Sequence, residues 1–183
     1  MISVVIPNFN SGKLLKNNIS KLIELLEKTD LDYEIIVTDD ASTDDSMEIL
    51  ERLKVKVVQS DVNTGFGANI DRGIRAASGE VVFILNAIDL MPKDESYFEL
   101  MLAHFEDKKV FSVAASKQDS ENHGCGEIYF SKGFFLHRRK IVIPGLTRNL
   151  SDWADGGAQA IRKEYYFKIG GFDPAYKNFI GKM

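Results

Sequence analysis

The feature that most limits the fold is an alternation in the first half of the chain. Residues 2–7 ("ISVVIP"), 33–38 ("YEIIVT"), 55–59 ("VKVVQ") and 80–86 ("EVVFILN") are short, apolar and bounded by turn residues. Between them lie helical patterns. Leu14, Leu15, Ile19, Leu22, Ile23 and Leu26 recur at three- and four-residue spacing, which predicts an amphipathic helix over 13–28. Met47, Leu50 and Leu53 line one face of a second helix that Asp44 or Asp45 can cap. Residues 67–77 predict a third, ended by Ser78-Gly79. Strand–helix–strand alternation with near-continuous apolar strands implies an α/β, Rossmann-like, mostly parallel sheet with helices on both faces.

The second half is less regular. A helix is expected from Asp94 to about His104, a strand over 110–115 and a polar loop over 116–126. "EIYFSKGFFLHRR" predicts two antiparallel strands or a strand and a turn, and 158–169 predict a helix stopped by Gly170-Gly171. The 183 residues suffice for one domain with a substantial core. Within it, 1–115 read as a ligand-binding half and 116–183 as a partial second half. A net charge of −4 gives no general attraction to nucleic acid or anionic membrane. The lone Cys125 excludes a disulfide framework within the chain and fits a reducing, cytoplasmic compartment. No apolar run approaches the length of a membrane span. "MISVVIP" starts directly on a strand, whereas "GGFDPAYKNFIGKM" stops without a helix or polar tail, so the chain is expected to be a fragment of a longer one.

In parallel sheets, ligands bind outside the carboxyl ends of the strands. That places 7–10, 39–42, 63–67 and 86–89 on one rim, and these are the most polar, turn-like stretches of the first half. Adjacent carboxylates at a strand end, Asp39 and Asp40, repel each other and are best tolerated where a ligand or cation offsets them. Either can also accept hydrogen bonds from a base or a ribose. Capping of the following helix is the structural alternative. Gly65 and Gly67 flank Phe66 just before a helix, where backbone can approach a phosphate closely. The spacing is neither a dinucleotide fingerprint nor a Walker loop. "LNAIDLMP" offers Asp89 as a carboxylate and Asn86 as a neutral oxygen for a hard cation, though such a turn alone is more often structural. Trp153 beside Asp152 and Asp155 suits a sugar ring, or else is a core residue before a helix. His104, His123 and His137 lack metal-ligand spacing.

Taken together, "VVIPNFN", "YEIIVTDDASTDDS", "NTGFGANIDRGIRAASGEVVFILN" and "DGGAQAIRKEYYFKIGGFD" resemble the family 2 glycosyltransferases of GT-A fold, in order and through nearly the whole chain. The resemblance implies inverting transfer of a sugar from a nucleotide-sugar donor, a UDP- or dTDP-sugar, aided by Mg2+ or Mn2+. Acceptors in such a family are often cell-envelope glycans or lipid-linked sugars, which would bring the protein to the inner face of the membrane. Pro7 and Phe9 match positions lining the base. Asp40, with Asp39 beside it, matches the acid that holds base or ribose, and Asn63 matches a further nucleotide contact. Gly65 and Asn86 complete the donor-side set, and Asp89 would be the metal ligand. Trp153, Asp155, Gly156 and Gly157 would lie on the acceptor side.

Two departures from the family pattern matter. Ile88 stands where a second metal-binding aspartate is usual. The Glu-Asp element that carries the general base would follow Met183, leaving Asp155 as a weak substitute and making a catalytic loss of roughly 10²–10⁴-fold the expectation for a chain without it. A non-catalytic nucleotide-sugar-binding module is therefore the alternative. A nucleotidyltransferase ranks lower, because "PNFNSGK" is not the glycine-rich basic loop such an enzyme needs after its first strand.

Overall fold

The computed structural model describes residues 1–53, 55–86, 91–115, 126–131, 134–139 and 157–172. The expected strands and helices of the first half are present. Strand β1 is Ile2–Asn8, helix α1 Gly12–Leu26, β2 Tyr33–Asp40, α2 Ser46–Glu51, β3 Lys56–Ser60, α3 Phe66–Ala76 and β4 Val81–Leu85. Helix α4, Ser96–Ala103, runs into a 3-10 turn at His104–Glu106. It is followed by β5 (Ser112–Ala114), β6 (Gly126–Ser131), β7 (Phe134–Arg139), β8 (Ala158–Arg162) and α5 (Lys163–Lys168). The six-stranded sheet has the order β3-β2-β1-β4-β8-β5, and β6 with β7 forms a separate antiparallel pair.

The period-2 geometry of a strand divides each apolar run between two cores. On β1, Ile2, Val4 and Ile6 join Leu15, Ile19, Leu22 and Leu26 of α1 and Phe98 of α4 on one face. Val5 joins Ile36, Val82, Ile84, Ile70 and Ile74 on the other, with Tyr166 of α5. Burial on both faces is why β1 and β4 read as near-continuous apolar runs. Gly73 permits the closest helix–sheet approach: a Cβ there would stand 2.4 Å from Val5 Cγ1 and 2.9 Å from Thr38 Cγ2.

One expectation fails. Residues 158–169 are not one helix; 158–162 form β8, antiparallel to both β4 and β5, and only 163–168 are helical. The alanines favour helix intrinsically, by up to about 0.7 kcal/mol per residue over ordinary residues. Five paired positions along β4 and three along β5 outweigh that. Small side chains fit the slot: Ala160 is fully buried opposite Phe83. The strand passes directly into α5, with Lys163 N–H donating to Glu80 O at 2.9 Å. The capping expectation is met one residue early. Asp45 occupies the N-cap of α2 without a side-chain cap bond, while the Asp44 carboxylate accepts from Ser46 N at 3.0 Å and Gly12 N at 2.9 Å.

Candidate nucleotide-binding site

The strand order reverses between β1 and β4, where a doubly wound sheet opens a crevice. Among the described residues the registers differ on the two sides of β1. The last β1–β4 pair is Val5 with Ile84, whereas β1 stays paired with β2 through Pro7–Thr38 to Asn8–Asp39. Three residues of β1 thus run past the last β4 partner, and Pro7, which has no N–H to offer, is among them.

The loops leaving β1 and β2 are tied into one rim. Asn8 is 2% exposed; its Nδ2 donates to Asp39 Oδ1 at 2.7 Å and to Ser42 Oγ at 3.1 Å. The other Asp39 oxygen accepts from Ser42 N at 3.0 Å, and the residue is 0% exposed. Asn10 N donates to Ser42 Oγ at 2.8 Å, and its Oδ1 accepts from Thr43 N at 2.7 Å. Asn10 and Ala41 both have positive φ, 52° and 62°. For Ala41, with no polar side chain to compensate, that conformation is strained and is held by the cross-links on either side.

Asp40 is the centre of the arrangement, at 2% exposure. Its carboxylate accepts from Thr64 N at 3.0 Å, Thr64 Oγ1 at 2.8 Å, Gly65 N at 2.8 Å and Arg72 Nη2 at 2.8 Å. Gly65 is the N-cap of α3, with φ 87°, so a carboxylate sits against the positive end of that helix. Burial alone would push the Asp40 carboxyl up. The Arg72 guanidinium and the Thr64 and Gly65 donors prevail and hold it below the usual carboxylate range. Asn69 completes the joint, its Nδ2 donating to Asn8 O at 3.2 Å and Thr38 O at 3.0 Å.

The expected site residues therefore divide. Pro7, Phe9, Asp39, Asp40, Asn63 and Gly65 lie on the β1, β2 and α3 rim, with Phe9 at 49% exposure and Asn63 also exposed. Asp39 and Asp40 are buried, and their oxygens are engaged by protein donors. Asn86 stands at the end of β4, where its N–H donates to Gly157 O at 2.9 Å. Asp89, Trp153, Asp155 and Gly156 lie outside the described residues. Sequence reading missed Asn8, Asn69 and Arg72. The available signal was Asn69 itself, a polar residue within the apolar stripe of α3 marked by Ile70, Gly73 and Ile74.

Among the described residues no cluster of three His, Cys, Asp or Glu could hold a metal ion. Asp39 and Asp40 do not fit one, because Arg72 already supplies the positive charge beside Asp40. Asn86 is the described oxygen donor nearest in sequence to Asp89.

Residues 3–169 match the family model described as Glycosyl transferase family 2. The chain is 27% identical over 159 residues to the glycosyltransferase GlyG of Streptococcus pneumoniae, covering 84% of this chain and 51% of that protein. It is 33% identical over 169 residues to a dolichol-phosphate mannosyltransferase of Pyrococcus furiosus, covering 89% and 46% respectively. The chain thus spans about half the length of these curated relatives. The mannosyltransferase PcManGT of Pyrobaculum calidifontis, solved in complex with GDP-Man and Mn2+, superposes with a TM-score of 0.69 at 20% identity. That superposition covers 94% of this chain and 47% of PcManGT. It is a likeness of fold, and the fold is that of the GT-A glycosyltransferases.

Proposed function

The chain belongs to glycosyl transferase family 2, and we propose that its sheet edge binds the nucleoside diphosphate of an activated sugar and serves glycosyl transfer to a hydroxyl acceptor. The observation that carries this is the junction at Asp40, where the end of β2 and the N-terminus of α3 meet beside the β1–β4 crevice. Asp40 takes up the N–H groups at the entry to α3 and so fixes the rim, and the exposed Phe9 and Asn63 on that rim are the groups a nucleoside would meet at the switch point.

The chain's own part follows from this rim. Exposed Phe9 offers an aromatic face to the base. Asn63 and the backbone around Gly65 lie where the ribose and phosphates would pass. In the transfer, the acceptor hydroxyl oxygen bonds to the anomeric carbon from the face opposite the diphosphate. The carbon–oxygen bond to the diphosphate breaks with inversion, the nucleoside diphosphate departs and the hydroxyl proton goes to a base. Asp155 is the residue of this chain proposed for that base. Trp153, Gly156 and Gly157 belong to the acceptor side of this reading.

Asp89 is the residue proposed for a divalent cation, Mg2+ or Mn2+. The Mn2+ in the PcManGT complex supports a cation of this kind. Bound there, it would offset the charge of the leaving diphosphate. The acceptor is proposed to be a cell-envelope glycan or lipid-linked sugar, met at the cytoplasmic face of the membrane. No described helix is long and apolar enough to cross one.

The test is incubation of the chain with UDP-, dTDP- and GDP-sugars and Mn2+, following nucleoside diphosphate release. Release that depends on an added acceptor supports glycosyl transfer. Binding without release supports the alternative of a non-catalytic donor-binding module, and neither binding nor release removes the proposal.

A further inference from the structure

Three groups converge on the guanidinium of Arg72. Its Nη2 donates to Asp40 Oδ1 at 2.8 Å and to Asn69 Oδ1 at 2.9 Å, and its Nη1 donates to Thr64 Oγ1 at 2.7 Å. The Thr64 hydroxyl, having accepted from Arg72, donates to Asp40 Oδ1, which closes a three-residue ring. Asn69 extends the link to β1, since its amide nitrogen holds the carbonyl of Asn8. Helical spacing makes this work: Asn69 and Arg72 are three apart on α3 and so project from one face toward the strand ends.

The charges are unequal in number. Asp39 and Asp40 are adjacent and buried, and among the described residues Arg72, with its side chain 24% exposed, is the cation paired with Asp40. Asp39 is held by neutral donors only, Asn8 Nδ2 and Ser42 N. A buried carboxylate stripped of its cation is costly to keep ionised. A planar fork that meets carboxylate, amide and hydroxyl at once also fixes geometry in a way that a point charge does not.

Taking this rim as the donor site, we propose that Arg72 is its positioning residue. It locks the ionised Asp40 carboxylate and the Thr64–Gly65 backbone into the arrangement that the nucleotide meets, without itself contacting the nucleotide. Arg72 acts here through Asp40, and its removal loosens the joint between β2 and α3 on which the site is built.

The experiment compares wild type, R72Q and R72K. One readout is calorimetric affinity for UDP, dTDP and GDP with Mn2+ between pH 4.5 and 7.5, with the pH limits set about the carboxylate range. The other is titration of the Asp40 carboxyl carbon by NMR, which needs no nucleotide. Among the described residues the charged group bonded to Asp40 is Arg72 from α3, its other partners Thr64 and Gly65 being neutral, and Asp39 precedes it on β2 with its own neutral donors, so a single cation controls the result. R72Q is expected to raise the Asp40 midpoint, to weaken nucleotide binding by about tenfold or more at neutral pH, and to widen its deficit relative to wild type with acid, the titration of the nucleotide's own terminal phosphate being common to both proteins. R72K is expected to keep the low midpoint and recover part of the affinity. An R72Q protein with unchanged midpoint and unchanged affinity overturns the proposal. So does an R72Q protein with a raised midpoint and unchanged affinity, since Arg72 would then govern Asp40 without positioning the nucleotide site. If wild type binds none of the three nucleotides, the donor-site reading falls, and the carboxyl titration still decides whether Arg72 governs Asp40.

Discussion

The backbone N–H of Asn86 donates to the carbonyl of Gly157 at 2.9 Å. The bond extends the β4–β8 ladder one step beyond Leu85–Ala158. It joins the end of the last parallel strand to the segment that carries the expected acceptor-side residues. Two stretches 71 positions apart in sequence, one read as donor side and one as acceptor side, are thereby set against each other by main-chain geometry alone.

The fit of β8 between β4 and β5 depends on small residues. Ala160 faces Phe83 on one side and Val113 on the other and is fully buried. Ala160→Leu should overpack this slot and lower unfolding stability by ~1–3 kcal/mol. Urea unfolding with an unchanged m-value would measure it.

Gly73 gives a second packing test in which two effects oppose each other. Gly73→Ala improves helix propensity by about 1 kcal/mol. The added Cβ, however, meets Val5 Cγ1 at 2.4 Å, and Val5 lies in a fully buried central strand. Overpacking costs of ~1–3 kcal/mol are expected to prevail, so the variant should melt lower than wild type. A higher melting temperature would mean that α3 can move away from the sheet.

Acid should weaken the fold through two carboxylates. Burial would raise both, but Ser3 Oγ and Ser78 N hold Glu34 down, as Arg72 and the Thr64 and Gly65 donors hold Asp40. A folded-state value below the unfolded one stabilises fully above the unfolded range, about pH 4, and loses that contribution as pH falls through the depressed folded value. Wild type should therefore lose stability below about pH 4–5. Asp40→Asn and Glu34→Gln should start lower at neutral pH and show a shallower acid limb. For Asp40→Asn the neutral-pH loss is on the order of 3 kcal/mol, because Arg72 is left without its counter-charge. Denaturant unfolding at several pH values reads both.

The parallel part of the fold was legible because its strands are buried on both faces and its helices are amphipathic. A local pattern therefore reports a local environment. β8 was not legible, since Ala158, Ala160 and Ile161 satisfy a helix as well as a strand and the decision lies with the distant β4. In the site, Asp39, Asp40 and Gly65 stood out as acids at a strand end and a glycine at a helix entry. Asn8, Asn69 and Arg72 did not, because their roles are partnerships across 31 to 61 residues of sequence. Charged and amide side chains on a helix read as solvated until the strand ends facing them are known.

The central claim is that the rim around Asp40 holds a nucleoside diphosphate. Calorimetric titration of wild type and Asp40→Ala with UDP, dTDP and GDP, with and without Mn2+, tests it most directly. The account predicts binding of at least one nucleotide by wild type, tightened by Mn2+, and a loss of about tenfold or more in Asp40→Ala with its circular dichroism unchanged. No binding by wild type under any of these conditions, or equal binding by a folded Asp40→Ala, would contradict it.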